Sequence, residues 1–274
     1  MNKKIFFPVL LAFFFFSLLP ARGEGHLAVL MYHRFDDGVS ISTPMDDFKK
    51  QIRYLKDNDY HFVSLDELIR HKKNREPFPE KSVMITVDDG FLSTYTKDYP
   101  FLKKEKIPWV LYIYTQAIEK GYGASLTWEM IREMSENGVD IQNHSYSHGK
   151  FIYDELDDEW IEKEIHEPHR LLKEKTGQES RSFAIPYGMY DEKLIEILHE
   201  QTDYDVVFDI DPGVVDPTRD SLFLSRFGLN RHTSWEGFLN KLNRLPLAVK
   251  ATNPRPGTRL NQMPDTMTVT FENP

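Results

Sequence analysis

The 274 residues of the chain include no cysteine. This absence excludes disulfide bonds, thiol nucleophiles and cysteine-ligated zinc sites. Any bound metal would have to be held by histidine and carboxylate side chains. Stability would have to come from a hydrophobic core, which a chain of this length is large enough to bury.

The sequence also lacks an excess of positive charge. Its 43 acidic residues outnumber its 34 lysines and arginines, which gives a formal net charge of -9. Binding to nucleic-acid phosphates needs a basic surface, so we expect no nucleic-acid partner. The aromatic content of 13% argues against disorder, which is typical of chains with few aromatic residues.

Long apolar runs are missing outside the N-terminus. Two lysines precede the apolar run 5–19, and the small residues Ala21 and Gly23 follow it. This arrangement predicts a signal peptide over residues 1–23 and an exported protein that is periplasmic, secreted or located at the cell surface. An uncleaved anchor is the alternative, although the run is shorter than the roughly 20 residues of a membrane-spanning helix. We expect no further membrane segment, and we favour a monomer.

Apolar strand patterns and amphipathic helix patterns alternate between residues 26 and 245. Predicted strands cover 27–32, 83–87, 109–114, 139–142, 182–185, 206–208 and 222–227, and predicted helices cover 45–58, 127–137, 154–175, 191–199 and the segment opened by the Ser64–Glu67 capping pattern. This alternation indicates an α/β domain with a mostly parallel sheet. Roughly seven such units favour a distorted or incomplete (β/α) barrel over residues 24–245.

The tail departs from this pattern. Prolines and a glycine interrupt the chain at 253–257, and residues 267–271 alternate between apolar and polar side chains like a single strand. We therefore expect residues 246–274 to form an extended tail with one or two strands that lies on the barrel.

Side chains suited to catalysis follow four of the predicted strands. These residues are His33, Asp88, Asp89, His144, His148 and the run Pro186-Tyr187-Gly188. In a parallel α/β barrel, active-site residues lie at the carboxyl ends of the strands. We therefore expect these side chains to converge on one face of the barrel.

His144 and His148 are four residues apart. On a helical turn this spacing places both imidazoles on one side, within reach of one ion. Two histidines and one carboxylate form a common hydrolytic metal site that leaves a position open for water. An isolated pair with this spacing is more often an ordinary surface or core pair, but its position at a strand end favours a metal site.

Asp88 and Asp89 are adjacent at the end of a predicted strand. The sequence Asp-Asp-Gly also suits a turn, and we interpret the copy at 36–38 in that way. Adjacent carboxylates at a strand end point in different directions. One of them would therefore bind a metal while the other, kept ionised beside the cation, would act as a base.

Three segments resemble the motifs of the polysaccharide deacetylases, carbohydrate esterase family 4. Thr86–Gly90 resembles the first motif, Asp140–His148 the second and Phe183–Gly188 the third. The three motifs occur in the order found in the family. The resemblance extends over most of the predicted barrel.

The resemblance implies a distorted (β/α) barrel that removes N- or O-acetyl groups from sugars with the help of one divalent metal ion. The metal ligands would be Asp89, His144 and His148. Asp88 would be the general base, and the backbone N–H of Tyr187, next to Pro186, would help to hold the oxyanion. The ligand set favours zinc, although nickel, cobalt and iron also fit.

One departure from the family concerns the base. The family carries an arginine before the proline of the third motif, and this chain has none there. Another arginine would have to orient Asp88. Arg226 and Arg181 are the two candidates, and the sequence does not decide between them.

A second departure concerns the general acid. The late Leu-x-His motif is missing, and His232 is a poor match to it. The early segment 29–33, Val-Leu-Met-Tyr-His, instead resembles the start of the biofilm poly-N-acetylglucosamine deacetylase branch. This resemblance implies that His33 is the catalytic acid.

From these resemblances we expect metal-dependent hydrolysis of N-acetyl groups on an extracellular or periplasmic polysaccharide that contains N-acetylglucosamine. An O-acetyl esterase of a xylan-like glycan would use the same site. A catalytically inactive glycan-binding barrel is the alternative from another class, although the presence of both aspartates and both histidines argues against it. A glycosidase is disfavoured, because its carboxylates flank the bond about 5–9.5 Å apart and the adjacent Asp88 and Asp89 do not.

Overall fold

The computed structural model describes residues 25–36, 38–153, 155–219, 221–246, 249–253 and 266–271. The predicted signal peptide lies outside these residues, as does Asp37 of the predicted turn at 36–38. Within the described part of the chain, no helix is long and apolar enough to cross a membrane.

Short strands and helices alternate along the chain. The strands are β1 (Leu27–Tyr32), β2 (His61–Phe62), β3 (Ser82–Val87), β4 (Trp109–Ile113), β5 (Asp140–Asn143), β6 (Ser182–Ala184), β7 (Val206–Phe208), β8 (Phe223–Leu224), β9 (Phe227–Gly228), β10 (Val249–Asn253) and β11 (Thr268–Phe271). The α-helices are α1 (Met45–Asp57), α2 (Leu65–Asn74), α3 (Tyr99–Glu105), α4 (Thr115–Glu119), α5 (Trp128–Glu136), α6 (Asp158–Ile161), α7 (Glu167–Thr176), α8 (Glu192–Glu200) and α9 (Trp235–Leu242). Further turns are π-helical at Thr94–Asp98 and Glu162–His166 and 3₁₀ at Phe151–Tyr153 and Pro186–Gly188.

Strands β1 to β9 form one parallel sheet. Its hydrogen-bonded order is β8-β7-β6-β5-β4-β3-β1-β9, and β2 also pairs with β3. The two end strands, β8 and β9, are separated in the chain by Ser225 and Arg226 alone. The sheet is thus curled, with its edges joined by the chain, and this confirms the predicted distorted (β/α) barrel.

Both faces of this sheet are buried, which explains the continuous apolar runs of its strands. In β1, Leu30 belongs to a cluster with Phe48 of α1, on the outer side of the sheet. The neighbouring Val29 belongs to a second cluster that includes Phe208 of β7, on the inner side. The apolar core therefore fills both sides of the strands, and the polar site lies at their carboxyl ends.

Several helices begin at a side-chain cap. The Ser64 hydroxyl accepts a hydrogen bond from the N–H of Glu67, and the Thr127 hydroxyl accepts one from the N–H of Met130. Such caps satisfy backbone donors that have no partner in the first turn. The caps predicted at Ser64 and Thr127 are therefore confirmed.

Each π-helical turn is followed by a proline. Pro100 is the second residue of α3, and Pro168 is the second residue of α7. Proline has no N–H and cannot continue the regular helical hydrogen-bond ladder. In the second turn the N–H of Glu167 accordingly bonds to the carbonyl of Glu162, five residues earlier.

Two predicted elements differ from the structure. The predicted helix 154–175 begins only after its cap, Asp157, and a π-helical turn before Pro168 divides it. The predicted strand 222–227 is two short strands at opposite ends of the sheet, because the chain leaves one edge and joins the other at Arg226. Strand β2 and the short helices α3, α4 and α9 are not predicted from the sequence.

The tail contains two strands that do not join the barrel sheet. Strands β10 and β11 pair with each other in antiparallel fashion. The alternating pattern at 267–271 therefore corresponds to a strand. The boundary between barrel and tail stays a prediction.

Candidate active site

The carboxyl ends of the barrel strands open into one pocket of about 420 Å³. Its wall includes His33, Asp88, Asp89, His144, His148 and Tyr187, together with Met31, Ile41, Phe91, Tyr114, Ile185 and Ile210. The residues that follow four predicted strands therefore meet on one face of the barrel, as parallel strand order requires.

Asp89, His144 and His148 form a compact group in this pocket. One possible ligand atom from each residue lies within 4.8 Å of the others. Asp89 Oδ1 is 3.1 Å from His148 Nε2 and 3.5 Å from His144 Nε2. A single ion could therefore contact all three side chains.

The hydrogen bonds of this group fit a cation. His144 Nδ1 lies 2.6 Å from the carbonyl oxygen of Ala184, so it donates there, and Nε2 of the neutral ring carries a lone pair. That lone pair faces the buried Asp89 Oδ1, which has no well-formed hydrogen bond among the described residues. A divalent ion between these atoms would satisfy both, and the donor set is of the two-histidine, one-carboxylate type.

Asp89 is ionised in this environment. Burial opposes its ionisation, but the nearby imidazoles of His144 and His148 outweigh that effect and hold the pKa of Asp89 well below its ordinary value. An ionised carboxylate is the form that binds a metal.

The loop that carries both histidines is not helical, so the predicted helical turn is wrong. Ser145 and His148 have left-handed backbones, with φ of 74° and 56°. The two imidazoles meet because these residues fold the loop back on itself. Asp89 and Tyr187 are also left-handed, with φ of 76° and 58°. Such strained non-glycine residues cluster at functional sites.

Asp88 is held by Arg226 in a two-pronged ion pair. Nη1 and Nη2 of Arg226 each lie 2.8 Å from one oxygen of the Asp88 carboxylate. Arg226 is completely buried, and its Nε donates to the carbonyl of Asp209 at 3.0 Å. Paired hydrogen bonds of this kind fix the orientation of a carboxylate.

The other candidate arginine lies elsewhere. Arg181 contacts Asp66 at 2.5 Å and Asp205 at 3.2 Å. Arg226 approaches Asp88 because it lies between β8 and β9, where the chain crosses from one edge of the sheet to the other. The structure thus decides which of the two arginines contacts Asp88.

His33 follows β1 and lines the same pocket. Burial lowers its pKa, although the Asp88 and Asp89 carboxylates act in the opposite direction. Its imidazole is therefore mainly neutral at pH 7 in the metal-free protein. His232, the alternative acid, is exposed in the loop after β9 and is not part of the described pocket wall.

Pro186 and Tyr187 form a 3₁₀ turn directly after β6. Tyr187 is 46% exposed, and the centre of its ring lies 4.7 Å from that of His148. The turn continues through Gly188 at a φ of 60°, where a side chain would collide with Ile210. Tyr187 consequently lies at the mouth of the pocket, and the oxyanion role of its N–H stays a prediction.

Tyr114 and Ile210 also line the pocket and are not identified from the sequence. The ring centre of Tyr114 lies 5.2 Å from that of His148. Burial raises the pKa of Tyr114, and the Asp89 carboxylate raises it further, so its hydroxyl stays protonated. Its position directly after β4 is the signal that identifies it in retrospect.

Comparison with known proteins agrees with this geometry. Residues 75–207 match the family model described as polysaccharide deacetylase. The poly-β-1,6-N-acetyl-D-glucosamine N-deacetylase of Staphylococcus aureus (strain MSSA476) is 26% identical over 219 residues, which cover 74% of this chain and 74% of the relative.

Solved structures show the same fold. The structure of IcaB from Ammonifex degensii has 28% sequence identity and a TM-score of 0.70, and the match covers 81% of this chain and 98% of that one. The Streptococcus pyogenes deacetylase PplD in complex with acetate has 24% identity and a TM-score of 0.73, with coverage of 81% and 100%.

The family resemblance of the three sequence motifs is thereby confirmed. The predicted enzyme class, a hydrolase of the carbohydrate de-N-acetylase type, is confirmed with it. Residues 75–207 therefore carry a polysaccharide deacetylase domain, and about three quarters of the chain is similar to known N-deacetylases.

Proposed function

We propose that this protein hydrolyses N-acetyl groups on an extracellular or periplasmic polysaccharide that contains N-acetylglucosamine. One observation carries the proposal: the group of Asp89, His144 and His148 lies beside the Arg226-bound Asp88 in a single pocket. The name of the Staphylococcus aureus relative supports the choice of substrate. The N-terminal signal-peptide pattern supports a location outside the cytoplasm.

Asp89, His144 and His148 are the proposed ligands of one divalent ion, with zinc as the first choice for this donor set. When bound, such an ion polarises the acetyl carbonyl and makes a water molecule more acidic. Three protein ligands leave positions open for substrate and water. The hydrogen bond from His144 to Ala184 keeps the other nitrogen of the ring directed at the ion.

Asp88 is the proposed general base. Arg226 occupies one lone pair on each of its oxygens and leaves others to accept a proton from the attacking water. Asp88 Oδ2 is 4.0 Å from His144 Nε2, so the base lies next to the ligand group.

His33 is the proposed donor of a proton to the leaving amine. An amide anion is a very poor leaving group, so the nitrogen must be protonated as the C–N bond breaks. Tyr32 and Val87 are paired in the parallel sheet, which places the following residues, His33 and Asp88, side by side. Because His33 is mainly neutral at rest, it must first take up a proton from solvent; it gives this proton to the amine, while the proton of the water goes to Asp88 and is then released to solvent.

The backbone N–H of Tyr187 is proposed to stabilise negative charge on the acetyl oxygen. The 3₁₀ turn that contains Pro186 holds this backbone at the pocket. The tyrosine ring lines the same pocket, where a sugar ring of the polymer would pass.

Acetate release from a panel of polymers tests the proposed function. The panel contains β-1,6-linked N-acetylglucosamine oligomers, chitin oligomers, peptidoglycan and acetylxylan, each with and without a chelator. We expect chelator-sensitive release from an N-acetylated polymer. Release from acetylxylan alone would indicate the O-acetyl esterase, and no release from any substrate would indicate the inactive glycan-binding barrel.

A matched pair of substrates tests the role of His33. His33→Ala should lose most activity on the acetamide but less on an activated acetyl ester, whose leaving group needs no proton. His232→Ala, with its exposed imidazole, is the control and should retain activity on both. Equal losses on both substrates in His33→Ala would contradict the proposed acid.

A further inference from the structure

The loop from His144 to His148 is fastened to the helical segment α6–α7. The N–H of Tyr146 donates to the carbonyl oxygen of Glu164 at 3.1 Å. The N–H and the hydroxyl of Ser147 both donate to Glu164 Oε2, at 2.9 and 3.0 Å. One glutamate thus holds two consecutive loop residues directly before the second histidine.

The main-chain acceptor in this contact is available because of Pro168. In a regular helix the carbonyl of Glu164 would accept the N–H of the residue four positions later. That residue is Pro168, which has no N–H. Glu164 lies within the π-helical turn at this point, and its carbonyl bonds to the loop.

The carboxylate of Glu164 is buried, although neighbouring glutamates on the same helical segment are exposed to solvent. Glu164 is only 4% exposed, whereas Glu162 and Glu167 on the same segment are exposed. Burying a carboxylate costs free energy unless hydrogen bonds compensate for it. Among the described residues, the two hydrogen bonds that the Glu164 carboxylate accepts both come from Ser147 of the histidine loop, so the loop compensates for that cost.

The loop needs such an attachment because its backbone is strained. His148 has a φ of 56°, and its N–H donates to the Ser145 hydroxyl at 3.0 Å. A non-glycine residue persists in this conformation only when its surroundings enforce it. Release of Ser147 would let His148 relax and turn its imidazole away from Asp89.

We propose that Glu164 is a positioning residue for His148, with Pro168 freeing the carbonyl through which it acts. Glu164 fastens the loop and thereby fixes the position of His148 relative to Asp89 and His144 before an ion binds. This inference rests on the proposed metal role of Asp89 and the two histidines.

Zinc affinity of the chelator-treated protein tests this role by calorimetry, without any substrate. Glu164→Ala should raise the zinc Kd by about 10- to 100-fold, the usual effect of removing a group that orients a metal ligand. Glu164→Gln should lose less, because its side-chain oxygen still accepts from Ser147. Glu159→Ala, an exposed glutamate of α6, is the control and should bind zinc like the unmodified protein.

Amide hydrogen exchange of the metal-free protein provides a second readout. In Glu164→Ala the amides of Tyr146 and Ser147 should both exchange faster. Pro168→Ala supplies a competing N–H to the Glu164 carbonyl, so the amide of Tyr146 should exchange faster while that of Ser147 stays protected. This pattern would not follow from a general loss of stability.

Several results would overturn the inference. The role would be contradicted if the Glu164→Ala variant bound zinc as tightly as the Glu159→Ala variant. It would also be contradicted if Glu164→Ala lowered the melting temperature but left the zinc affinity unchanged. If Glu164→Ala does not fold, Ser147→Ala and Glu164→Gln replace it, and unchanged zinc affinity and exchange in both would contradict the role. Absence of zinc binding in the unmodified protein would refute the metal site, whereas unchanged exchange at Tyr146 and Ser147 would refute the role of Glu164.

Discussion

Asp88 and His148 are held in different ways. Asp88 directly follows β3, which pairs with β1 over six residues. Its backbone is therefore fixed by a continuous strand ladder. His148 instead lies on a loop with left-handed residues that is fastened from outside by Glu164. A strand positions a side chain by local structure, but a loop needs partners that are distant in sequence.

This difference also separates two tasks. On the Asp88 side, the carboxylate is fixed by Arg226 and needs no metal for its orientation. On the histidine side, the ligand atoms of His144, His148 and Asp89 lie close enough together to contact one ion. Variants of the two sides should therefore separate turnover from metal binding.

The largest effect is expected from His144→Ala. This change removes one of the three proposed ligands, so zinc binding and deacetylation should both be lost. Calorimetric titration with zinc and acetate release measure the two losses, with His232→Ala as the exposed control. Full zinc occupancy in His144→Ala would contradict the ligand assignment.

Asp88→Asn should lower turnover without weakening zinc binding. The amide keeps the size of the side chain but cannot act as a base, so activity should fall by about two to four orders of magnitude. Zinc affinity should remain close to that of the unmodified protein. Near-normal kcat at the pH optimum would show that another group is the base.

Arg226→Lys should have an intermediate effect. Lysine keeps the positive charge but cannot form two parallel hydrogen bonds with Asp88. A base displaced by about 1 Å can lose on the order of 100-fold in rate. We expect kcat to fall while zinc affinity is retained, and a simultaneous loss of both would show that Arg226 also supports the histidine side.

The smallest effect on activity is expected at a second buried aspartate, Asp98. Unlike Asp88, this residue has no arginine partner among the described residues. Asp98 is fully buried at the end of the first π-helical turn, and its oxygens have no hydrogen-bond partner among the described residues. Burial raises its pKa well above the ordinary value. The folded state therefore binds this proton more tightly than the unfolded state, and Asp98 costs stability as pH rises above about 4.

Asp98→Asn should remove this pH-dependent cost. Relative to the unmodified protein, the variant should gain stability as pH rises from 4 to 7, so that its free energy of unfolding exceeds that of the unmodified protein by more at pH 7 than at pH 4. Urea denaturation of the metal-free proteins at both pH values measures the change. A stability difference that is the same at both pH values would show that Asp98 is not protonated in the folded state.

Much of the barrel could be predicted because its strands are buried on both faces. The apolar runs at β1 and β3 mark their own ends, so the residues that follow them, His33 and Asp88, are visible in the sequence. The caps at Ser64 and Thr127 are equally local signals. Short elements such as β2 and α4 contain fewer than two periods of their repeat and give no comparable pattern.

The interactions that complete the site depend on tertiary structure. Arg226 reaches Asp88 only because β8 and β9 lie at opposite ends of a curled sheet. The sequence pattern instead predicts one continuous strand over both, so it cannot indicate this contact. The spacing of His144 and His148 suggests a helical turn, whereas the structure brings them together by left-handed residues. Pro168 is visible in the sequence, but its consequence for Glu164 appears only when the loop is placed beside the helix.

Anomalous scattering from crystals of the zinc-loaded protein tests the central claim most directly. We expect one zinc ion within about 2.0–2.2 Å of an Asp89 oxygen and of Nε2 of both His144 and His148. Asp88 should stay paired with Arg226 and outside the coordination sphere. A zinc ion bound at other residues, or one bound without Asp89 or either histidine, would contradict the account.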